Sequence, residues 1–232
     1  MANVCVIVCY DDSYSNMAET TVGLNIKPYC EKHGYDIYID RYENYDTSRA
    51  PQWHKIKVCM EVLQTNKYDW VFFIDTDCLI MNSSIKLESI IDNQYSFILP
   101  QHRMPAEDTP IINIPEIQNI ITSQFFVKND ADGLSILNAI WNANSDIDIN
   151  KFDYDGRGVR IVINNGEFNH KIKIVEEHLL NRFWYMNNPF MTMYFIGIND
   201  HVWKPKDFIV HVTGYKTEER TRLLSDINYF AE

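Results

Sequence analysis

The stretch YDWVFFIDTDCLIMN, residues 68–82, decides how the rest of the chain is read. Its apolar run Trp70–Ile74 is aromatic and β-branched without a break, the composition of a strand buried on both faces. Asp75-Thr76-Asp77 ends that run, and apolar sequence resumes at once behind it. Two carboxylates set between apolar segments are costly to hold unless something neutralises them. Three readings are open for the residues themselves. Paired oxygens at a strand end suit a hard divalent cation such as Mn²⁺ or Mg²⁺. An Asp with a second Asp two residues on also suits a phosphatase nucleophile, although Cys78-Leu79-Ile80 does not supply the small turn expected behind it. An ordinary strand-end turn is the third. The chain carries its own controls: DID (146–148) and DYD (153–155) are also Asp-x-Asp. Both stand in polar, turn-rich sequence where solvated carboxylates cost little, so both are expected in surface loops.

Working outward, the first hundred residues alternate strand and helix. VCVIVCY (4–10) reads as a buried strand. A helix is expected from about Asn16 to His33, kinked or broken at Pro28 and stopped by Gly34. YDIYID (35–40) is a second strand. In QWHKIKVCMEVLQT, residues Ile56, Cys59, Met60 and Leu63 recur at helical spacing, so this is an amphipathic helix. YSFILP (95–100) is a further strand. The βαβαβ order predicts an α/β fold with a mostly parallel, twisted sheet. Later, SQFFVKN (123–129) reads as a strand, and Asp130 caps a helix carrying Leu134, Leu137, Ile140 and Trp141. Residues 142–171 are expected to hold turns and short antiparallel strands. A helix is expected around Glu176–Asn187 and a late strand at 207–215. No repeat or linker is evident, so the chain reads as one domain over 1–232. In an open α/β sheet, ligands bind beyond the carboxyl ends of the strands. Tyr10-Asp11-Asp12 and Asp75-Thr76-Asp77 both follow such ends and are expected to be neighbours.

Composition narrows the function classes. With 232 residues, 46% hydrophobic and 13% aromatic, the chain has the material for a sizeable core. Its net charge of −11 argues against a general nucleic-acid binder, which needs clustered Lys and Arg. An anionic substrate would be met locally, by a metal or a few lysines. The cysteines Cys5, Cys9, Cys30, Cys59 and Cys78 show no metal spacing and read as buried free thiols of a reducing compartment. The opening residues lack the basic segment of a signal peptide, and no apolar run approaches the ~20 residues of a membrane span. A soluble, cytoplasmic protein is expected.

The segment APQWHKIKVCMEVLQTNKYDWVFFIDTDCLIMN (50–82) resembles the core signature of glycosyltransferase family 34: a Trp-x-Lys helix start, an amphipathic helix, an aromatic strand, Asp-x-Asp and Met-Asn. YCEKHGYDIYI (29–39) is similar to the segment before it. DFIVHVTGYK (207–216) resembles the family's strand ending in His, with Gly and Lys three and five residues on. The resemblance implies a GT-A fold, with a nucleotide-binding half over about 1–100 and an acceptor-side half over about 101–232. It implies Mn²⁺ (Mg²⁺ being the alternative) and a UDP-sugar donor, with a glycan or glycoconjugate acceptor. Carried onto this chain, Asp77 and His211 would be metal ligands, with Asp75 on the metal or the ribose. Lys216 would neutralise the leaving diphosphate, Gly214 would let backbone approach it, and Lys55 would point at the donor. Tyr10, Asp11 and Thr76 belong to the same donor crevice. VEEHLLNRF (175–183) resembles the family's acidic pair, with Glu176-Glu177 where Asp-Gln is typical; a catalytic carboxylate is implied there, a charged first turn being the alternative. NIITSQFFVKND (119–130) resembles a family strand with Ser123 in place of Gly, and Gln124 is read as a sugar contact. QHRM (101–104) is placed near donor or acceptor. The family is retaining; a Glu at 176 or 177 would permit inversion instead. A short member without an anchor suits a cytosolic enzyme, including one encoded by a large virus or a microbe. Two other classes stay open: a non-catalytic nucleotide-sugar or glycan-binding module, and a metal-dependent phosphatase or nucleotidyltransferase.

Overall fold

The computed structural model describes residues 2–101, 120–143, 154–184 and 202–231. Strand β1 (Val4–Cys9) is buried along its whole length, as its unbroken apolar sequence requires. A 3-10 turn (Asp12–Tyr14) leads into a continuous helical stretch made of α1 (Ser15–Ala18), a π-helical run (Glu19–Ile26) and α2 (Lys27–His33). The break expected at Pro28 is a change of winding. Pro28 falls in the first turn of α2, where its missing N–H is tolerated, and the wider π turn ends just ahead of it. Gly34 ends α2 in the left-handed region at φ 74°. Next come β2 (Asp36–Asp40), α3 (His54–Gln64), β3 (Trp70–Ile74), β4 (Cys78–Ile80) and β5 (Phe97–Pro100). The second half adds β6 (Gln124–Lys128), α4 (Ala131–Trp141), α5 (Tyr154–Asn165), β7 (Ile172–Val175), α6 (Glu177–Leu180), β8 (Arg182–Phe183), β9 (Ile209–His211) and α7 (Thr217–Asn228).

The main sheet has the order β2-β1-β3-β6-β5-β7. Among the described residues only β6 runs antiparallel to its neighbours in this sheet, so the fold is α/β with a mixed sheet flanked by helices. The carboxyl ends of β1, β3, β5 and β7 therefore share one edge. A smaller sheet, β4-β9-β8, follows directly from the Asp-x-Asp turn. One face of the main sheet is covered by Trp53, at the end of the 3-10 turn before α3, and by α3, α4 and α5 through Ile56, Cys59, Leu63, Ile140 and Val159. The other is covered by the first helical stretch through Val22, Ile26, Tyr29 and Cys30. A third cluster joins α7 (Leu224, Ile227) to the small sheet (Leu79, Val210) and Val212. All five cysteines are buried and unbridged.

Three sequence expectations are corrected. Residues 154–165 form helix α5, not short strands. Its sequence, YDGRGVRIVINN, carries two glycines and four β-branched residues, so local propensity argues against a helix. Packing overrides this: a Cβ at Gly158 would lie 2.6 Å from the Trp53 ring, so glycine alone lets α5 press onto the fully buried Trp53. β7, just past the stretch expected to hold antiparallel strands, pairs parallel with β5. The helix expected from Glu176 spans only Glu177–Leu180 among the described residues, and the chain turns at once into β8. The late strand is likewise only Ile209–His211. Residues 102–104 of QHRM, the DID triplet, Asp153 and the 185–187 end of that expected helix lie outside the described residues. Gln101 forms an isolated bridge with Ile120.

Candidate active site

The carboxyl edge opens into a cleft of about 550 Å³. Among the described residues its walls include Cys9, Tyr10 and Asp11 behind β1, Asp75, Thr76 and Asp77 behind β3, and His211 and Thr213 at the end of β9. Lys55 of α3, Tyr42 and Arg220 of α7 also line it. Parallel pairing of β1 with β3 sets the two strand-end loops side by side, and the Thr76 hydroxyl donates to the Cys9 carbonyl at 3.1 Å. The Asp11 carboxylate caps the 3-10 turn through the Ser13 N–H. Arg41 stacks its guanidinium 4.5 Å over the Tyr10 ring.

Antiparallel pairing of β4 with β9 brings His211 opposite Cys78, one residue past Asp77. His211 Nε2 stands 3.3 Å from Asp77 Oδ1. Its Nδ1 lies 3.2 Å from the Ser123 hydroxyl, which can donate or accept and so accommodates either imidazole tautomer. The second Asp77 oxygen, Oδ2, accepts from Arg220 Nη1 at 2.8 Å. Burial works against the Asp77 charge, but His211 and Arg220 outweigh it and hold the carboxyl below the usual range. Asp75 has a different environment. Burial pushes its carboxyl up to about 6, with Lys55 pulling the other way. Lys55 Nζ sits 3.0 Å from Asp75 Oδ1, 3.5 Å from Asp155 Oδ2 and 3.2 Å from the Thr122 carbonyl. Burial disfavours this ammonium, yet Asp155 and then Asp75 outweigh burial and shift it upward.

Asp75, Asp77 and His211 are two carboxylates and an imidazole facing one cleft, a donor set that suits Mn²⁺ or Mg²⁺. The ligand atoms of Asp77, Cys78 and His211 also lie within 4.8 Å of one another. Cys78 is the weak member for such an ion, because burial pushes its thiol well above the usual range and keeps it protonated.

Other sequence candidates lie elsewhere. Gln124 is fully buried on β6 and its amide donates to Cys78 Sγ; it does not line the cleft. Gly214 takes the left-handed φ of 81° in the turn after β9. Lys216 is exposed at the start of α7 and does not line the cleft. Glu176 and Glu177 lie at the end of β7, three strands from β3, which at the usual spacing is roughly 14 Å. Neither lines the cleft; Glu177 is buried against Arg182, with 3.4 Å between their charged atoms.

Two residues of the site escaped sequence reading. DYD was expected in a solvated loop, but Asp155 is buried on α5 and is the second carboxylate of Lys55; this corrects that expectation. Arg220 was not singled out. Its four-residue spacing from Lys216 at the start of a helix was the available signal.

Residues 3–222 match the sequence profile of the galactosyl transferase GMA12/MNN10 family. The chain belongs to that family. A curated relative in Schizosaccharomyces pombe, the uncharacterized alpha-1,2-galactosyltransferase C1289.13c, is 26% identical over 149 residues. The match covers 53% of this family member and only 39% of the relative's length. Among solved structures, a glycosyltransferase involved in the glycosylation of the major capsid of PBCV-1 aligns over 96% of this chain and 99% of its own, with TM-score 0.67 and 18% identity. The glycosyltransferase GlyE of Streptococcus pneumoniae TIGR4 aligns over 99% of this chain and 64% of its own, with TM-score 0.52 and 11% identity. At these identities the structural likeness speaks for the fold. Among the described residues no helix is long and apolar enough to cross a membrane.

Proposed function

We propose that this family member is a metal-dependent glycosyltransferase that moves a sugar from a UDP-sugar to a hydroxyl of a glycan or glycoconjugate, with retention at the anomeric carbon. The observation that carries the reading is the convergence of Asp75, Asp77 and His211 on one cleft at the carboxyl edge of the sheet. Asp77 and His211, with Asp75 beside them, would hold Mn²⁺. When bound, that ion supplies positive charge to the diphosphate as it leaves.

The chain's own residues divide the remaining work. Tyr10 and Asp11 offer a ring and a carboxylate at the β1 end, where the nucleoside fits. Lys55 is held between Asp75 and Asp155 and fixes the Asp75 carboxylate in the cleft wall. Gly214 gives the β9–α7 turn a backbone without a Cβ, and Lys216, exposed outside the cleft wall on that same turn, would reach the diphosphate only by swinging its side chain inward. Lateral packing of α3 and α5 on the sheet keeps Lys55 out of water, which strengthens its grip on Asp75.

The test is calorimetric titration with UDP, with Mn²⁺ and with EDTA. UDP is expected to bind with Mn²⁺ and to lose binding in EDTA and in Asp77→Asn. UDP affinity indifferent to metal would sink the reading. A UDP-sugar panel scored by UDP release, then the anomeric configuration of the product, separates transferase from binding module.

A further inference from the structure

Arg220 holds the position that makes Asp77 electrically complete. Its Nη1 is 2.8 Å from Asp77 Oδ2, and Nη2 donates to the Tyr215 carbonyl at 2.9 Å. Its Nε is buried without a hydrogen-bond partner among the described residues. The side chain lines the cleft beside Thr213 and His211 and comes from the first turn of α7, a helix pinned to the small sheet by Leu224 and Ile227. Asp77 is thus a carboxylate with one oxygen facing an imidazole and the other facing a guanidinium. A divalent cation on Asp77 and a guanidinium on the same carboxylate repel each other at this range. The two cations compete for the charge of one carboxylate.

We propose that Arg220 is the internal counter-cation that a divalent ion displaces from Asp77, and that the freed guanidinium then binds the diphosphate. The inference rests on the metal and nucleotide reading above and deepens it. The bond to Tyr215 is what makes the exchange workable: it keeps the arginine tethered at the cleft wall when Asp77 is given up. A planar guanidinium is matched to two phosphate oxygens at once, which an ammonium is not. The unsatisfied Nε supplies a further donor for the new partner. Metal alone must break the Arg220–Asp77 pair with no return, whereas metal with a diphosphate gives the arginine a new anion. Mn²⁺ and UDP therefore bind as a coupled pair, each strengthening the other.

Paramagnetic resonance of free Mn²⁺ reads this directly, with and without UDP, for the wild type, Arg220→Gln and Arg220→Lys. In Arg220→Gln the competitor is gone: Mn²⁺ alone is expected to bind about tenfold tighter than in the wild type, and the UDP enhancement to shrink by about the same factor. Arg220→Lys keeps a cation near Asp77 but loses the fork, so Mn²⁺ alone should bind as in the wild type while UDP binds more weakly. That variant carries the test even where the Gln variant folds poorly. Mn²⁺ affinity in Arg220→Gln equal to or below the wild type overturns the exchange. So does equal tightening in both variants, which would trace the effect to the lost Tyr215 contact. Wild-type UDP binding that ignores Mn²⁺ overturns the metal reading itself, a different failure from an unchanged coupling with metal-dependent UDP binding intact.

Discussion

Asp75 and Asp77 are one residue apart and have unlike partners. Asp75 faces a buried ammonium that it shares with Asp155; Asp77 faces an imidazole and a guanidinium. The difference follows from the turn that links β3 to β4: strand alternation would point residues two apart to one face, but Asp75–Asp77 lie outside both strands, and the bend sets one carboxylate against Lys55 of α3 and the other against His211 and Arg220. Lys55 is the residue whose environment sequence reading placed least well. It lies off the apolar stripe of α3 and yet is buried, because two carboxylates and the Thr122 carbonyl receive it. Asp155→Asn should therefore destabilise the fold by about 2 kcal/mol, less than the ~3–5 kcal/mol of a wholly orphaned buried charge, since Asp75 remains as partner. Urea unfolding measures this; a change within a few tenths of zero would show that Asp155 contributes little to holding Lys55. The periodicity that picks out an apolar stripe is blind to such a residue, because a buried ion pair depends on a helix a hundred residues away.

At the scale of elements, α4 and α5 show both outcomes of reading a sequence. The start of α4 was legible: Asp130 accepts from the Gly133 N–H at 2.8 Å as an N-cap, and it also receives the Ser96 hydroxyl. Asp130→Ala should cost about 1 kcal/mol, seen as a lower thermal midpoint. Helix α5 was not legible, because its glycines and β-branched residues mimic a turn and strand. Gly158 is the position where tertiary contact decides. A methyl group there meets the Trp53 ring at 2.6 Å and the Ile140 carbonyl at 3.1 Å, and neither a packed indole nor a helix backbone yields cheaply. Gly158→Ala is expected to destabilise by about 1–3 kcal/mol despite alanine's better helix propensity. A stabilised variant would mean that α5 can stand off from Trp53.

At the scale of the molecule, the cleft is assembled from β1, β3, β9, α3 and α7, so occupancy should tighten the fold as a whole. With UDP and Mn²⁺ each near a hundred times its dissociation constant, stabilisation of about 2.7 kcal/mol or more is expected, visible as a raised thermal midpoint that EDTA reverses. No shift with the pair present would contradict a site built from all five elements. Much of this architecture was written locally. Unbroken apolar runs gave β1 and β3 as buried strands, and the βαβ order of the first residues gave the parallel pairing of β2, β1 and β3, although the sheet as a whole is mixed rather than mostly parallel. Chain topology then gave the meeting of Tyr10–Asp12 with Asp75–Asp77, since adjacent parallel strands end on one edge. The sequence by itself determined those things because burial and strand direction follow from residue pattern. Only the tertiary structure decided that β6 reverses, that DYD supplies a buried carboxylate, that Glu177 is engaged by Arg182 away from the cleft, and that Arg220 stands against Asp77. Each of these depends on which distant segment comes to lie alongside, and no local pattern encodes a partner's identity.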